Sequence, residues 1–120
     1  ADMARFITTE SPAIEAHFPG TRVVAFGHLG DGNIHLHVKA PADSRLPDWY
    51  ENDEKAISDF VYDRVLAYNG SISAEHGIGL AKLETLARTA DPARLLAMRA
   101  IKTAFDPLGI MNPGKTVPLA

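Results

Sequence analysis

Two β-forming runs joined by Leu29-Gly30-Asp31-Gly32 dictate an antiparallel hairpin. The first, Thr21-Arg22-Val23-Val24-Ala25-Phe26-Gly27-His28, is rich in β-branched residues, and the second, Asn33 to Val38, alternates in type. The two Gly and the Asp between them tolerate positive φ, which a tight reversal requires. A hairpin also fixes parity, because a two-residue step along a strand returns to the same face. If His28 pairs with Asn33, His35 is its diagonal neighbour; if it pairs with His35, the two are opposite. Either register puts both imidazoles on one face.

Diagonal neighbours lie roughly 7 to 8 Å apart between backbones, within reach of one ion held by two His at about 2.0 to 2.1 Å each. His37 shares the parity of His35, so strand geometry alone does not choose between them. A single strand imidazole is more often an exposed or hydrogen-bonded structural residue than a ligand. Three on one face beside a Gly-rich turn make a metal site a competing explanation. The chain contains no Cys, so such a site must be built from His and carboxylates.

A second constellation is Ser73-Ala74-Glu75-His76-Gly77-Ile78-Gly79. Adjacent residues of an extended loop point in different directions, so Glu75 can serve an ion while His76 faces a substrate as a proton acceptor. The two Gly let backbone approach a planar ligand closely. The plain alternative is a surface loop whose Glu and His face water.

The remaining segments read as helices. Ala1 to about His17 carries Met3, Phe6, Ile7 and Ile14 as apolar positions, although Thr8, Thr9 and Pro12 argue for a break. Asp48 is placed to cap a helix bearing Ile57, Phe60, Val61, Val65 and Tyr68, which Asn69-Gly70 ends. Trp49, at its start, is most simply a packing residue. A brief helix is predicted from Leu80 to about Thr89. Asp91-Pro92 starts another, with Leu95, Met98, Ile101 and Phe105 on one face and Pro107 and Gly109 as its stop. The length suits one domain, and the opening Ala1 fits a segment excised from something longer.

Twelve Lys and Arg against fifteen Asp and Glu are spread without blocks, which gives no nucleic-acid footprint. No apolar stretch approaches the length of a membrane span, and the expected location is cytoplasmic.

Three ordered stretches carry a resemblance: Gly27-His28-Leu29-Gly30-Asp31-Gly32-Asn33-Ile34-His35, Gly70 to Gly79 around Ala74-Glu75-His76-Gly77, and Asp106-Pro107-Leu108-Gly109-Ile110-Met111-Asn112-Pro113-Gly114-Lys115. Together they resemble the C-terminal domain of FAD-linked oxidases of the D-lactate dehydrogenase, glycolate oxidase and D-2-hydroxyglutarate dehydrogenase type, across nearly the whole chain. The resemblance implies an α+β, ferredoxin-like antiparallel sheet with helices packed on it. It implies that His28, His35 and Glu75 hold a divalent metal, commonly zinc, which decides between His35 and His37. It makes His76 the catalytic base for oxidation of a D-2-hydroxy acid, and it places Asn112 and Lys115 towards the flavin.

His37 departs from the pattern, because several relatives have Asn there in contact with substrate; His37 is therefore a candidate substrate-binding residue. The FAD itself would be held mainly by an N-terminal domain that precedes Met3, so the fragment alone should not turn over. A homodimer is expected.

Two other readings compete. Asn33-Ile34-His35-Leu36-His37-Val38-Lys39 resembles a histidine-triad nucleotide hydrolase motif with its first His replaced, which leaves Glu75-His76-Gly77 unexplained. The other is a non-catalytic metal-binding interaction domain.

Overall fold

The structure, a computed structural model, describes residues 2–118. Five α-helices and one antiparallel sheet of two strands are present among these residues, an α+β fold. The chain forms two compact units, one ending at Ile72 and the other starting at Ser73.

The first unit begins with α1, Met3–His17. Phe6, Glu10 and Ile14, one turn apart, are its buried stripe. The helix continues through Pro12 because that ring lies on the exposed side, where the carbonyl it leaves unbonded can meet water. Thr8, also exposed, turns its hydroxyl back onto the carbonyls of Ala4 and Arg5. The expected break is therefore absent; Ala1 itself lies outside the described residues.

β1, Arg22–His28, and β2, Asn33–Lys39, pair antiparallel around a single 3-10 turn at Leu29–Asp31. Gly32 closes that turn at φ 67°. In the register, His28 faces Asn33, Phe26 faces His35 and Val24 faces His37. Val23, Ala25, Ile34, Leu36 and Val38 occupy the other face by alternation. α1 packs against β1, and the Glu15 carboxylate accepts a 2.7 Å hydrogen bond from the Val23 N–H, fastening helix to strand.

The helix expected to be capped by Asp48 is two helices, α2 at Leu46–Asn52 and α3 at Glu54–Ala67. α2 starts before Asp48, which pairs instead with Arg45 at 3.6 Å. The last turn of α2 carries a side-chain bond as well, the Asn52 amide donating to the Asp48 carbonyl at 2.7 Å. α3 contributes buried Ile57 and packs against α1, where Phe6 meets Tyr68 edge-on at 5.2 Å. Beside that contact, Phe60 stacks on His17 at 4.4 Å. Asn69, at φ 55°, ends the segment as expected, with Gly70 N–H donating to the Val65 carbonyl.

The second unit contains α4, Leu83–Thr89, and α5, Pro92–Phe105. Asp91 caps α5 as the sequence indicates, its carboxylate accepting from the Ala93 N–H at 2.8 Å. The apolar face expected of α5 is only half-buried at Leu95 and Met98, and Ile101 and Phe105 are exposed.

Candidate functional site

The hairpin brings two imidazoles to one edge of the first unit. The rings of His28 and His35 meet edge-on with centroids 5.7 Å apart, and each offers a nitrogen within 4.8 Å of the other's. This is the diagonal arrangement set by the His28↔Asn33 pair. Two His nitrogens on one tetrahedral ion lie roughly 3.3 Å apart, so a modest ring rotation serves both. Two imidazoles with a carboxylate suit zinc or a similar divalent ion, and the pair fits that requirement.

The backbone that holds them leaves no latitude at Gly27. A Cβ there would come within 2.1 Å of the Asn33 carbonyl oxygen, so only Gly lets the strands close beside His28. His37 lies on the same face, one step beyond His35 and opposite Val24. It lines a pocket with Lys39, Trp49 and Tyr50. Phe26, which the sequence reading did not single out, stacks on both His35 and His37 at 5.2 Å. The available signal was its parity, which places it among the three imidazoles.

In the second unit, Ser73 to Gly79 is a curled loop and not an extended one. The Ser73 hydroxyl donates to the Gly77 carbonyl at 2.6 Å, looping out Ala74, Glu75 and His76. Gly77, at φ 73°, makes the reversal possible. The consequence corrects the expectation that Glu75 and His76 diverge: their side chains approach to 3.9 Å. His76 is exposed, with 78% of its side chain open to solvent, while Glu75 is more covered.

The tail is tied to this loop, since Thr116 N–H donates to the Gly79 carbonyl at 3.0 Å. Asn112 adopts φ 47° and its carbonyl accepts from Lys115 N–H at 3.2 Å; both side chains are exposed. The organising residue here is Asp106, buried at the end of α5. Its two carboxylate oxygens accept from the N–H groups of Ile110 at 3.0 Å and Met111 at 2.9 Å, and one also takes the Lys102 ammonium. The Lys102 hydrogen bond chiefly, with the two backbone donors, outweighs burial and holds this carboxyl below its usual pKa. Asp-Pro followed by Gly is the sequence signal for such a turn.

Of the predicted site residues, His28, His35 and His37 belong to the first unit, and Glu75, His76, Asn112 and Lys115 to the second. Among the described residues, no helix is long and apolar enough to cross a membrane.

Comparison with known proteins agrees with the motifs. The chain is 42% identical over 110 residues to D-2-hydroxyglutarate dehydrogenase of Stutzerimonas stutzeri (strain A1501), covering 92% of this chain and 24% of that protein. It is 38% identical over 114 residues to D-lactate dehydrogenase of Anaerostipes hadrus, covering 94% and 23%. It is 42% identical over 96 residues to the mitochondrial D-2-hydroxyglutarate dehydrogenase of Bos taurus, covering 80% and 16%. The chain thus spans a quarter or less of the length of these curated relatives. The profile of the FAD linked oxidases, C-terminal domain, matches residues 2–116, and to that family the chain belongs.

Proposed function

We propose that this chain is the substrate-side portion of an FAD-dependent dehydrogenase that oxidises a D-2-hydroxy acid to the 2-oxo acid. The single observation that carries the reading is the imidazole pair His28 and His35, held on one face by a hairpin whose register leaves them diagonal. Family membership supports adding Glu75 as third ligand.

A divalent metal, zinc by its donor set, would be held by His28, His35 and Glu75 and would supply Lewis acidity at the substrate hydroxyl. The flavin, held mainly by an N-terminal domain, would supply the hydride acceptor. The chain's own contribution is positional and protic. His76 takes the hydroxyl proton on an exposed ring nitrogen, which solvent or a neighbouring group can then relieve. His37 offers an imidazole donor to the substrate in the pocket it shares with Lys39. Asn112 and Lys115 lie in the turn-rich tail, whose backbone Asp106 fixes, and would contact the flavin.

The full-length protein covers what this segment leaves open. Ile101, Phe105, Leu108, Ile110 and Met111 are exposed, with Phe105 81% open, and an apolar group of this kind supports a covering partner. In this reading the partner is the N-terminal flavin domain, and the assembly is a homodimer. The location proposed is cytoplasmic, although several relatives are named as mitochondrial.

Elemental analysis of the full-length protein tests the proposal. Near-stoichiometric metal that is lost in both His28→Ala and Glu75→Ala, with flavin retained, is the expected result. Folded protein that takes up neither zinc nor manganese would overturn it.

A further inference from the structure

Phe26 occupies a position that no core requires. Its ring is 56% exposed, on the hairpin face that bears Asn33, His35, His37 and Lys39. It stacks nearly parallel on His35, with centroids 5.2 Å apart and planes 16° apart, and on His37 at 5.2 Å and 24°. His35 in turn meets His28 edge-on. Register explains the order of the rings: Phe26 faces His35 directly and His37 diagonally, so its ring reaches both.

Such a stack matters because the second side-chain torsion of His is broad. A ligating imidazole needs its ring plane fixed by neighbours, or it loses affinity to rotation. A parallel aromatic face supplies that restraint through offset stacking. The same face engages His37, a third imidazole of matching parity and the natural competitor for the ion. His37 lies one step beyond His35, so it must leave the Phe26 face altogether to reach towards His28, whereas His35 needs only a modest rotation beside it.

We propose that Phe26 is a positioning residue of the metal centre, setting the ring plane of His35 for ligation and holding His37 apart as a substrate-facing group. This rests on the metal reading above. It explains why three same-face imidazoles yield two ligands and one free for substrate.

The test compares Phe26→Leu and Phe26→Tyr in the full-length protein, reading zinc affinity by chelator competition and the visible spectrum of bound cobalt(II). Phe26→Leu is expected to weaken zinc by about five-fold, the loss of one ring contact, and to alter the cobalt spectrum as His37 gains access. Adding His37→Ala should restore the spectrum and leave the affinity low. Phe26→Tyr, which keeps the ring, should preserve both readouts. If the Leu variant does not fold, Phe26→Met replaces it with the same expectation. Unchanged affinity and spectrum in the ring-less variant would overturn the proposal, as would a Tyr variant as impaired as Leu. His28→Ala and Glu75→Ala separate the two readings: metal retained in those variants sinks the metal centre itself, whereas metal lost there and unaffected by Phe26→Leu sinks the role of Phe26 alone.

Discussion

The carbonyl oxygen of Asn33 lies where a side chain on Gly27 would begin, 2.1 Å from an ideal Cβ. Gly27→Ala should therefore push the strands apart immediately before His28. Overpacking of this kind costs about 1–3 kcal/mol, and the expected result is a lower Tm together with lost metal. A variant with normal stability and normal metal content would show that the hairpin yields at no cost.

His37→Ala, by contrast, should leave metal content unchanged and raise KM. The imidazole pair is complete without it, and its ring lines the pocket with Lys39 and Trp49. In the proposed enzyme, His37→Asn should alter the preference among 2-hydroxy acids of different chain length. Steady-state kinetics with a short and a dicarboxylic substrate would register this.

Asp106 makes stability depend on acid. Its carboxyl is held below the usual range by Lys102 and by the Ile110 and Met111 N–H groups. A lowered folded pKa means that the unfolded chain binds the proton more readily. The stabilisation is complete above the ordinary carboxylate pKa and is lost as pH falls through the lowered value. Asp106→Asn should flatten this acid limb of a Tm-against-pH profile and lower Tm at neutral pH.

Ser73→Ala removes the hydroxyl that curls the Glu75 loop. Loss of one hydrogen bond is worth about 0.5–1.5 kcal/mol, so the fold should survive. The expected cost falls on catalysis, with kcat/KM down on the order of 10-fold from a misplaced His76. Retained activity would mean that the loop is held by other contacts.

Buried Glu10 faces half-exposed Arg64 at 3.7 Å, and Arg64 also lies over the Phe60 ring at 4.7 Å. Arg64→Ala should cost about 1–2 kcal/mol, a value tempered by the exposure of the guanidinium. Adding Glu10→Gln should recover part of it, since the remaining penalty is an uncompensated carboxylate. A chemical denaturation cycle over the four variants measures the difference.

The hairpin was legible because alternation, turn composition and parity are local: they placed His28, His35 and His37 on one face before any register was known. Asp91 was legible for the same reason. The break at Asp53 between α2 and α3 was not, because no Gly or Pro stands there to mark it. Pro12 misled in the opposite sense; its penalty depends on which side of α1 meets solvent. The loop around Glu75 read as extended because the Ser73 to Gly77 bond that curls it is invisible to composition. Phe26 had the right parity, but its stacking is a matter of ring orientation.

The short hairpin has a consequence for the order of events during synthesis. His28 and His35 are separated only by the turn and its flanking residues, so closing that loop costs little entropy. Hairpins of this kind form in about 1–10 μs, far faster than the ribosome adds a residue. The two imidazoles can therefore pair before the segment containing Glu75 has been made. In the proposed centre, the nascent chain would meet metal first as a weak bis-imidazole chelate, and the carboxylate translated later would decide which ion stays.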